Sequence, residues 1–256
     1  MNNINNALNS IKEKYGKLSG EQLKMFALIF MILDHVGYRM MVSGNFDKSI
    51  SLVRFGDVLR MFGRLAFPIF AFMISEGFRY TSDKRKYAMR LFVAAIISEI
   101  PFDLLKNAGL KGYNGKYAWF DLSGQNVMLT FFLAVIMLIL LDNYMMNKNT
   151  YYAYNEYVYV IVFCIIAYLV KCDYVFFGII MIWLFYKFID DFLIIAILIS
   201  LIYIIQGEFF GILSIIPIFL YNGRRTNKLM DSRKAKIHKY FFYVFYPVHM
   251  LILSFF

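Results

Sequence analysis

The chain has 256 residues, of which 61% are hydrophobic and 20% are aromatic. Soluble globular domains usually contain about 45–50% apolar residues, so this composition indicates an integral membrane protein. The net charge of +10 comes from Lys and Arg that are concentrated in a few loops. Such clustering is typical of the positive-inside bias of membrane proteins, and it argues against nucleic acid as a partner.

Residues 1–20 are polar and are predicted to form a cytoplasmic tail, and residues 21–256 are predicted to form a single all-α membrane domain. Since a spanning helix needs about 20 apolar residues, we expect a polytopic bundle of about nine to ten transmembrane helices. Nine are placed at residues 23–42, 55–78, 87–105, 126–141, 157–170, 174–188, 192–205, 209–221 and 240–256. In the second, Pro68 is expected to kink the helix and to free a backbone carbonyl for another partner.

The topology follows from the basic segments at residues 79–90 and 224–239. Placing them on the cytoplasmic side with the tail gives a multi-pass protein of the cell membrane, with its N-terminus inside and its C-terminus outside. The first span has no small-residue cleavage site, so it is interpreted as a retained span. Asp34 and His35 then lie in its outward half, and Arg64 lies at the outward start of the second span.

Asp34 and His35 are adjacent in the first span, where ionisable residues are costly and commonly functional. His35 is the best candidate general base, because histidine exchanges protons near neutral pH. Adjacent helical residues point about 100° apart, so Asp34 need not contact His35. Asp34 is expected to pair with Arg64 or to hold substrate, and the partner of His35 is expected from another span. The alternative is a structural pair between helices.

Further polar residues interrupt the other spans. Glu99 and Asp103 are four residues apart, with Pro101 between them, so they share a helix face that either faces the same vestibule as His35 or solvates a helix end. Asn126 either caps the fourth span or lines a cavity. Arg64 suits a carboxylate or phosphate, and a structural pairing is equally compatible.

The closing span and the loop before it offer other candidates. His249 is interpreted as either functional or an interhelical packing residue. Arg224, Arg225 and Lys228 bind either lipid headgroups or the phosphates of a cytosolic cofactor. Cys164 and Cys172 lack metal-ligand spacing and are interpreted as packing residues, so no metal is expected.

Several short motifs, each containing polar residues, follow one another over nearly the whole chain. They are ILDHVGY, MFGRLAFPIFAFMISEGFRYTSDKRKYAMRLFVAAIISEIPFDLL, QNVMLTFF, LYNGRR and KYFFYVFYPVHMLIL. In this respect the chain resembles the TraX family. Members of that family are integral membrane proteins linked to N-terminal acetylation of conjugative pilin, and they are similar to a wider set of transmembrane acyltransferases that use acyl-coenzyme A.

The resemblance implies transfer of an acetyl group from cytosolic acetyl-CoA to an amine or hydroxyl on the extracytoplasmic side. The acceptor would be a peptide N-terminus, a glycan or a lipid, and direct transfer is favoured over an acyl-enzyme. The implied catalytic residues are His35, Asp34 and Arg64. For this function we expect acetyl-CoA to be bound by Arg224, Arg225, Asn222, Tyr246 and His249, and substrate to be bound by Glu99, Asp103 and Asn126.

Two other functions stay open at this stage. A proton-coupled transporter or flippase would use the intramembrane Asp, Glu and His residues, and internal inverted repeats would favour it. A non-catalytic assembly protein would use the same side chains to hold helices together.

Overall fold

The computed structural model describes Ile11 and residues 14–42, 50–107, 120–146, 155–224 and 232–255. Within these ranges it is all helical, as predicted for a membrane helix bundle. The elements are α1 (Gly20–Val42), α2 (Ile50–Gly63), α3 (Ala66–Tyr80), α4 (Lys84–Lys106), α5 (Val127–Met146), α6 (Asn155–Leu169), α7 (Val175–Lys187), α8 (Phe192–Gln206), a 3₁₀ helix (Phe209–Ser214), α9 (Ile215–Phe219) and α10 (Ser232–Ser254).

We count α2 with α3 as one pass along the bundle, and the 3₁₀ helix with α9 as another. On this count the described ranges contain nine passes. The start of α1, the end of α3, the start of α4 and Arg224 lie together at what we call the basic end. The guanidinium of Arg79 bonds both carboxylate oxygens of Asp190 there at 3.1 Å. At the same end, Lys84 pairs with Asp142. The described parts of the segments that the sequence assigned to one side therefore meet at one end of the fold.

Local side-chain caps fix the starts of α1 and α4. At α1, Ser19 and Gln22 form a reciprocal capping box, in which the Ser19 amide donates to Gln22 Oε1 at 2.9 Å and the Gln22 amide donates to Ser19 Oγ at 3.3 Å. At α4, Asp83 accepts from the Lys86 amide at 2.9 Å. These caps satisfy amides that have no partner within their own helix.

The second predicted span is broken between α2 and α3, at Arg64 and Leu65. Pro68 lies in the first turn of α3 and lacks the amide that would bond the carbonyl of Arg64. Tyr203 Oη donates to that carbonyl oxygen at 3.3 Å instead. The proline thus frees a backbone carbonyl, as predicted, and α8 supplies its new partner.

Three stretches in the described ranges are long and apolar enough to cross a membrane: Gly20–Val42, Val53–Tyr80 and Val127–Met145. Large apolar side chains point outward from the other helices, including Ile96, Ile165 and Ile205. The predicted spans at 157–170, 174–188 and 192–205 match α6, α7 and α8 to within two residues. The predicted span at 209–221 differs, because it forms a 3₁₀ helix followed by a five-residue α9.

α3 occupies the centre of the bundle and packs against α1, α5, α7 and α9. α1 and α2 approach each other through small residues. A Cβ atom built on Gly37 would lie 2.6 Å from the carbonyl oxygen of Gly56, and one built on Gly63 would overlap the side chain of Asp34. Glycine at these positions allows the two backbones to come close, which fixes the side of α1 that faces α2.

Candidate functional site

α1 and α10 bring His35 and His249 together in the interior of the bundle. Nδ1 of His35 lies 2.6 Å from Nε2 of His249, and the two rings are 11° from parallel. Only 7% of His249 is exposed. The two histidines that the sequence placed in different apolar spans therefore form one hydrogen-bonded pair.

The hydrogen bonds of this pair assign its tautomers. Nδ1 of His249 lies 2.9 Å from the carbonyl oxygen of Phe245, which can only accept, so this nitrogen carries a proton. Nε2 of neutral His249 is then an acceptor, and the proton between the rings lies on Nδ1 of His35. Nε2 of His35 is left with its lone pair, which is the state that a general base needs.

A cavity of about 310 Å³ extends from the basic end toward this pair. Along α1 it runs from Gly20 to Met31, which is roughly 16 Å at 1.5 Å per residue. Lys24 and Arg90 are among its charged residues. Most of its wall is apolar and comes from five helices, including Leu28, Met31, Phe70, Met73, Ile74, Leu91, Val127, Met128, Phe131, Phe242 and Phe245.

The inner part of the cavity lies beside the histidine pair. Tyr246 lines the cavity, and its ring centroid lies 6.4 Å from that of His35 and 5.8 Å from that of His249. On α1, Met31 lines the cavity and precedes His35 by one turn. The cavity therefore connects the basic end of the bundle with the surroundings of His35.

Asp34 points away from this arrangement, toward α2. Its Oδ1 lies 3.8 Å from Nε of Arg60, and Gly63 packs directly against it. Asp34 therefore makes its ion pair with Arg60, while Arg64, its expected partner, acts on it through charge alone. Arg60 lies within α2, on the side that faces α1, whereas Arg64 lies in the break that follows.

Arg64 is held by residues next to α7 and the 3₁₀ helix. Its Nη2 lies 2.9 Å from Oε1 of Glu208, and its side chain also contacts Tyr174. Asp34 is within electrostatic range of Arg64 but does not bond it. Arg64 was expected beside His35, and its ion pair in the structure is with Glu208, next to the 3₁₀ helix.

Glu99, Asp103 and Asn126 tie α4, α5 and the preceding loop together. Nδ2 of Asn126 donates to the Ala95 carbonyl at 2.9 Å and to Glu99, and its Oδ1 accepts from the Met128 amide at 3.0 Å, which caps α5. Oδ2 of Asp103 accepts from the amide of Asp121 at 2.7 Å. No contact between these three side chains and His35 is present in the described part of the chain.

The residues predicted to bind acetyl-CoA fall at three depths. Asn222 and Arg224 lie at the start of α1, where the Gly20 amide donates to the Arg224 carbonyl at 3.2 Å. Tyr246 lines the inner cavity, and His249 is the partner of His35. Arg225 lies outside the described residues.

Glu76, near the end of α3, is a further residue of the cavity that the sequence analysis did not single out. The side chain is 5% exposed, accepts a hydrogen bond from Tyr221 and lines the cavity. Its position three residues before Arg79, at the end of an apolar run, gave no signal of burial. In the described ranges, no group of three or more His, Cys, Asp or Glu side chains is arranged to hold a metal ion.

A family model described as "TraX protein" matches residues 19–256. A curated protein, the probable fimbrial assembly protein FimC of serogroup H1 from Dichelobacter nodosus, is 30% identical over 128 residues. That match covers 48% of this chain and 46% of the relative, so it spans about half of each. No solved structure matches. Because the family model covers nearly the whole chain, the protein belongs to the TraX family.

Proposed function

We propose that this protein is a multi-pass membrane acetyltransferase that moves an acetyl group from cytosolic acetyl-CoA to an acceptor on the other side of the membrane. The observation that carries the proposal is the cavity that leads from the basic end to Tyr246, beside the His35–His249 pair. The basic end and the N-terminus would face the cytoplasm, as the positive-inside bias favours.

The cavity suits the acyl-pantetheine arm of acetyl-CoA better than the whole cofactor. At about 310 Å³ it lies at the lower limit of ordinary small-molecule sites, and its wall is mostly apolar. The nucleotide and its phosphates would stay at the mouth, within reach of Lys24, Arg90 and Arg224. Bound in this way, acetyl-CoA supplies a thioester at the inner part of the cavity.

His35 would act on the acceptor. Nε2 of His35 takes the proton of the acceptor amine or hydroxyl as that group attacks the thioester carbonyl. The new C–N or C–O bond forms, the C–S bond breaks, and the proton passes from His35 to the leaving CoA thiolate. His249 would hold His35 in the required tautomer by accepting from Nδ1, and the apolar walls would exclude competing water.

The acceptor would be a group that carries an amine or a hydroxyl. The relative is named a fimbrial assembly protein, which supports an acceptor connected with surface fibres, such as a subunit N-terminus. Since only about half of each chain matches, a glycan or a lipid fits equally well with the site.

The test uses purified full-length protein in nanodiscs, acetyl-CoA labelled in its acetyl group, and a panel of acceptors with peptide, glycan and lipid amines or hydroxyls. The proposal predicts that label appears on at least one acceptor in equal amount to the free CoA released. If acetyl-CoA neither binds nor loses its label with any acceptor, while proteoliposomes carry out proton-coupled solute movement, the transporter alternative replaces the acetyltransferase.

A further inference from the structure

Arg39 is a buried guanidinium that the proposed mechanism does not use. It lies near the end of α1 and is 7% exposed. Its Nε and Nη1 atoms are buried and have no hydrogen-bond partner among the residues that the structure describes. The ion pairs of the described ranges involve other cations, and none includes Arg39.

Burying part of a charged group without a hydrogen-bond partner is costly, because those atoms lose their hydration and no described residue replaces it. Arginine cannot avoid this cost by losing its proton, because the guanidinium stays charged in proteins. Charged residues inside membrane proteins usually pair with one another or with backbone carbonyls, or mark a substrate or ion pathway. The planar guanidinium fork is suited to the two oxygens of a carboxylate or phosphate.

The position of Arg39 connects it to the catalytic pair. Lys24, Leu28, Met31, His35 and Arg39 follow spacings of four, three, four and four residues, which place them on one face of α1. Lys24, Leu28 and Met31 line the cavity, and His35 follows them. Arg39 is one turn farther, roughly 6 Å along the axis, on the side of His35 away from the cavity.

We propose that Arg39 binds an anionic group of the acceptor, so that the acceptor carries a carboxylate or phosphate about one helical turn from the amine or hydroxyl that is acetylated. This inference rests on the proposed acetyl transfer and names the chemical class of its acceptor. The donor thus approaches His35 from the cavity, and the acceptor approaches from the Arg39 side.

The first experiment measures anion binding without any transfer. Thermal unfolding of the full-length protein is followed with inorganic phosphate or acetate added, for the wild type, Arg39→Gln and Arg54→Gln. Arg54 is an exposed arginine of α2 and serves as the matched control. At least one anion should raise the melting temperature of the wild type and of Arg54→Gln, but not of Arg39→Gln.

Without anions, Arg39→Gln should melt no lower than the wild type, because it removes a charge whose buried Nε and Nη1 have no partner among the described residues. If it melts clearly lower and its anion response equals that of the wild type, Arg39 has a structural role and the inference is wrong. An absence of any anion effect on the wild type also contradicts it.

The second experiment compares acetyl transfer to matched acceptors: γ-aminobutyrate and its amide, and O-phosphoethanolamine and ethanolamine. Nanodiscs with phosphatidylethanolamine distinguish a lipid headgroup from a soluble phosphate. The anionic member of at least one pair should be preferred, and Arg39→Gln should raise its KM roughly ten- to a hundredfold, the value of a charge-assisted hydrogen bond. The KM for acetyl-CoA should not change.

The two experiments separate the inference from the proposed function. Anion binding that depends on Arg39, without transfer to any acceptor, contradicts the acetyltransferase and leaves Arg39 as an anion site. Transfer that shows no preference for anionic acceptors, or that Arg39→Gln leaves unchanged, supports the acetyltransferase and overturns the role of Arg39.

Discussion

Nε2 of His249 lies 2.6 Å from Nδ1 of His35, although the two residues are 214 positions apart in the sequence. The Phe245 carbonyl accepts a hydrogen bond from Nδ1 of His249, so Nε2 of His249 accepts from Nδ1 of His35. Nε2 of His35 therefore keeps its lone pair and is the free base. His249 is therefore interpreted as a positioning residue, and the earlier assignment to acetyl-CoA binding is replaced by this role in the proposed mechanism.

Replacing His249 with Phe should lower kcat for acetyl transfer about tenfold or more, because His35 loses the acceptor that sets its tautomer and orientation. The KM for acetyl-CoA should stay the same, since His249 does not line the cavity. His249→Gln should recover part of kcat, because its amide oxygen can accept from Nδ1 of His35. Equal losses in the Phe and Gln variants would contradict a positioning role.

Gly63→Ala should destabilise the protein by about 1–3 kcal/mol, the usual cost of overpacking. The new methyl group would overlap the side chain of Asp34, where α1 and α2 are in closest contact. Thermal unfolding in detergent measures the change. Gly20→Ala is the matched control: its nearest neighbour would be a Tyr221 ring atom at 3.7 Å, so its melting temperature should stay close to that of the wild type.

Lys24→Gln should raise the KM for acetyl-CoA about two- to fivefold and weaken the dependence of binding on salt, as expected for a partly exposed ion pair with phosphate. Lys24 lines the cavity near the basic end. Lys86→Gln provides the control at the same end, because the Lys86 side chain is 79% exposed and pairs with Asp83 outside the cavity. A similar effect of both variants would indicate general surface charge instead of a cofactor mouth.

Asn126→Ala should lower stability by about 1–3 kcal/mol for each buried partner left unsatisfied. The side chain is fully buried and bonds Ala95, Glu99 and Met128. At a temperature where the variant is folded, the KM for the acceptor should match that of the wild type. A raised acceptor KM with unchanged stability would restore the substrate-binding role that the sequence suggested.

Much of the fold follows from the sequence because membrane helices leave a strong local signal. Long apolar runs located α1, α5, α6, α7 and α8, and Pro68 predicted the freed carbonyl of Arg64. Where the signal was weak, the prediction was less accurate: residues 209–221 are apolar enough for a span but form a 3₁₀ helix and a short α9.

The site was predictable only in part, since its partners come from distant segments. His35 and His249 each stood out as polar residues in apolar spans, but their pairing depends on how α1 packs beside α10. Asp34 stood out equally, yet the packing of Gly63 turns it toward Arg60. Arg39 was not among the candidate residues, because a single charge near a helix end is ordinary, and only the burial of its Nε and Nη1 without a described partner distinguishes it.

The most direct test replaces His35 with Asn and measures acetyl-CoA binding and acetyl transfer in the same purified, folded sample. His238→Asn, in the basic segment before the last span, is the matched control. The account predicts that His35→Asn binds acetyl-CoA as the wild type does but loses transfer by about 10²–10⁴-fold, the usual contribution of a general base. Full transfer by folded His35→Asn would contradict the central claim.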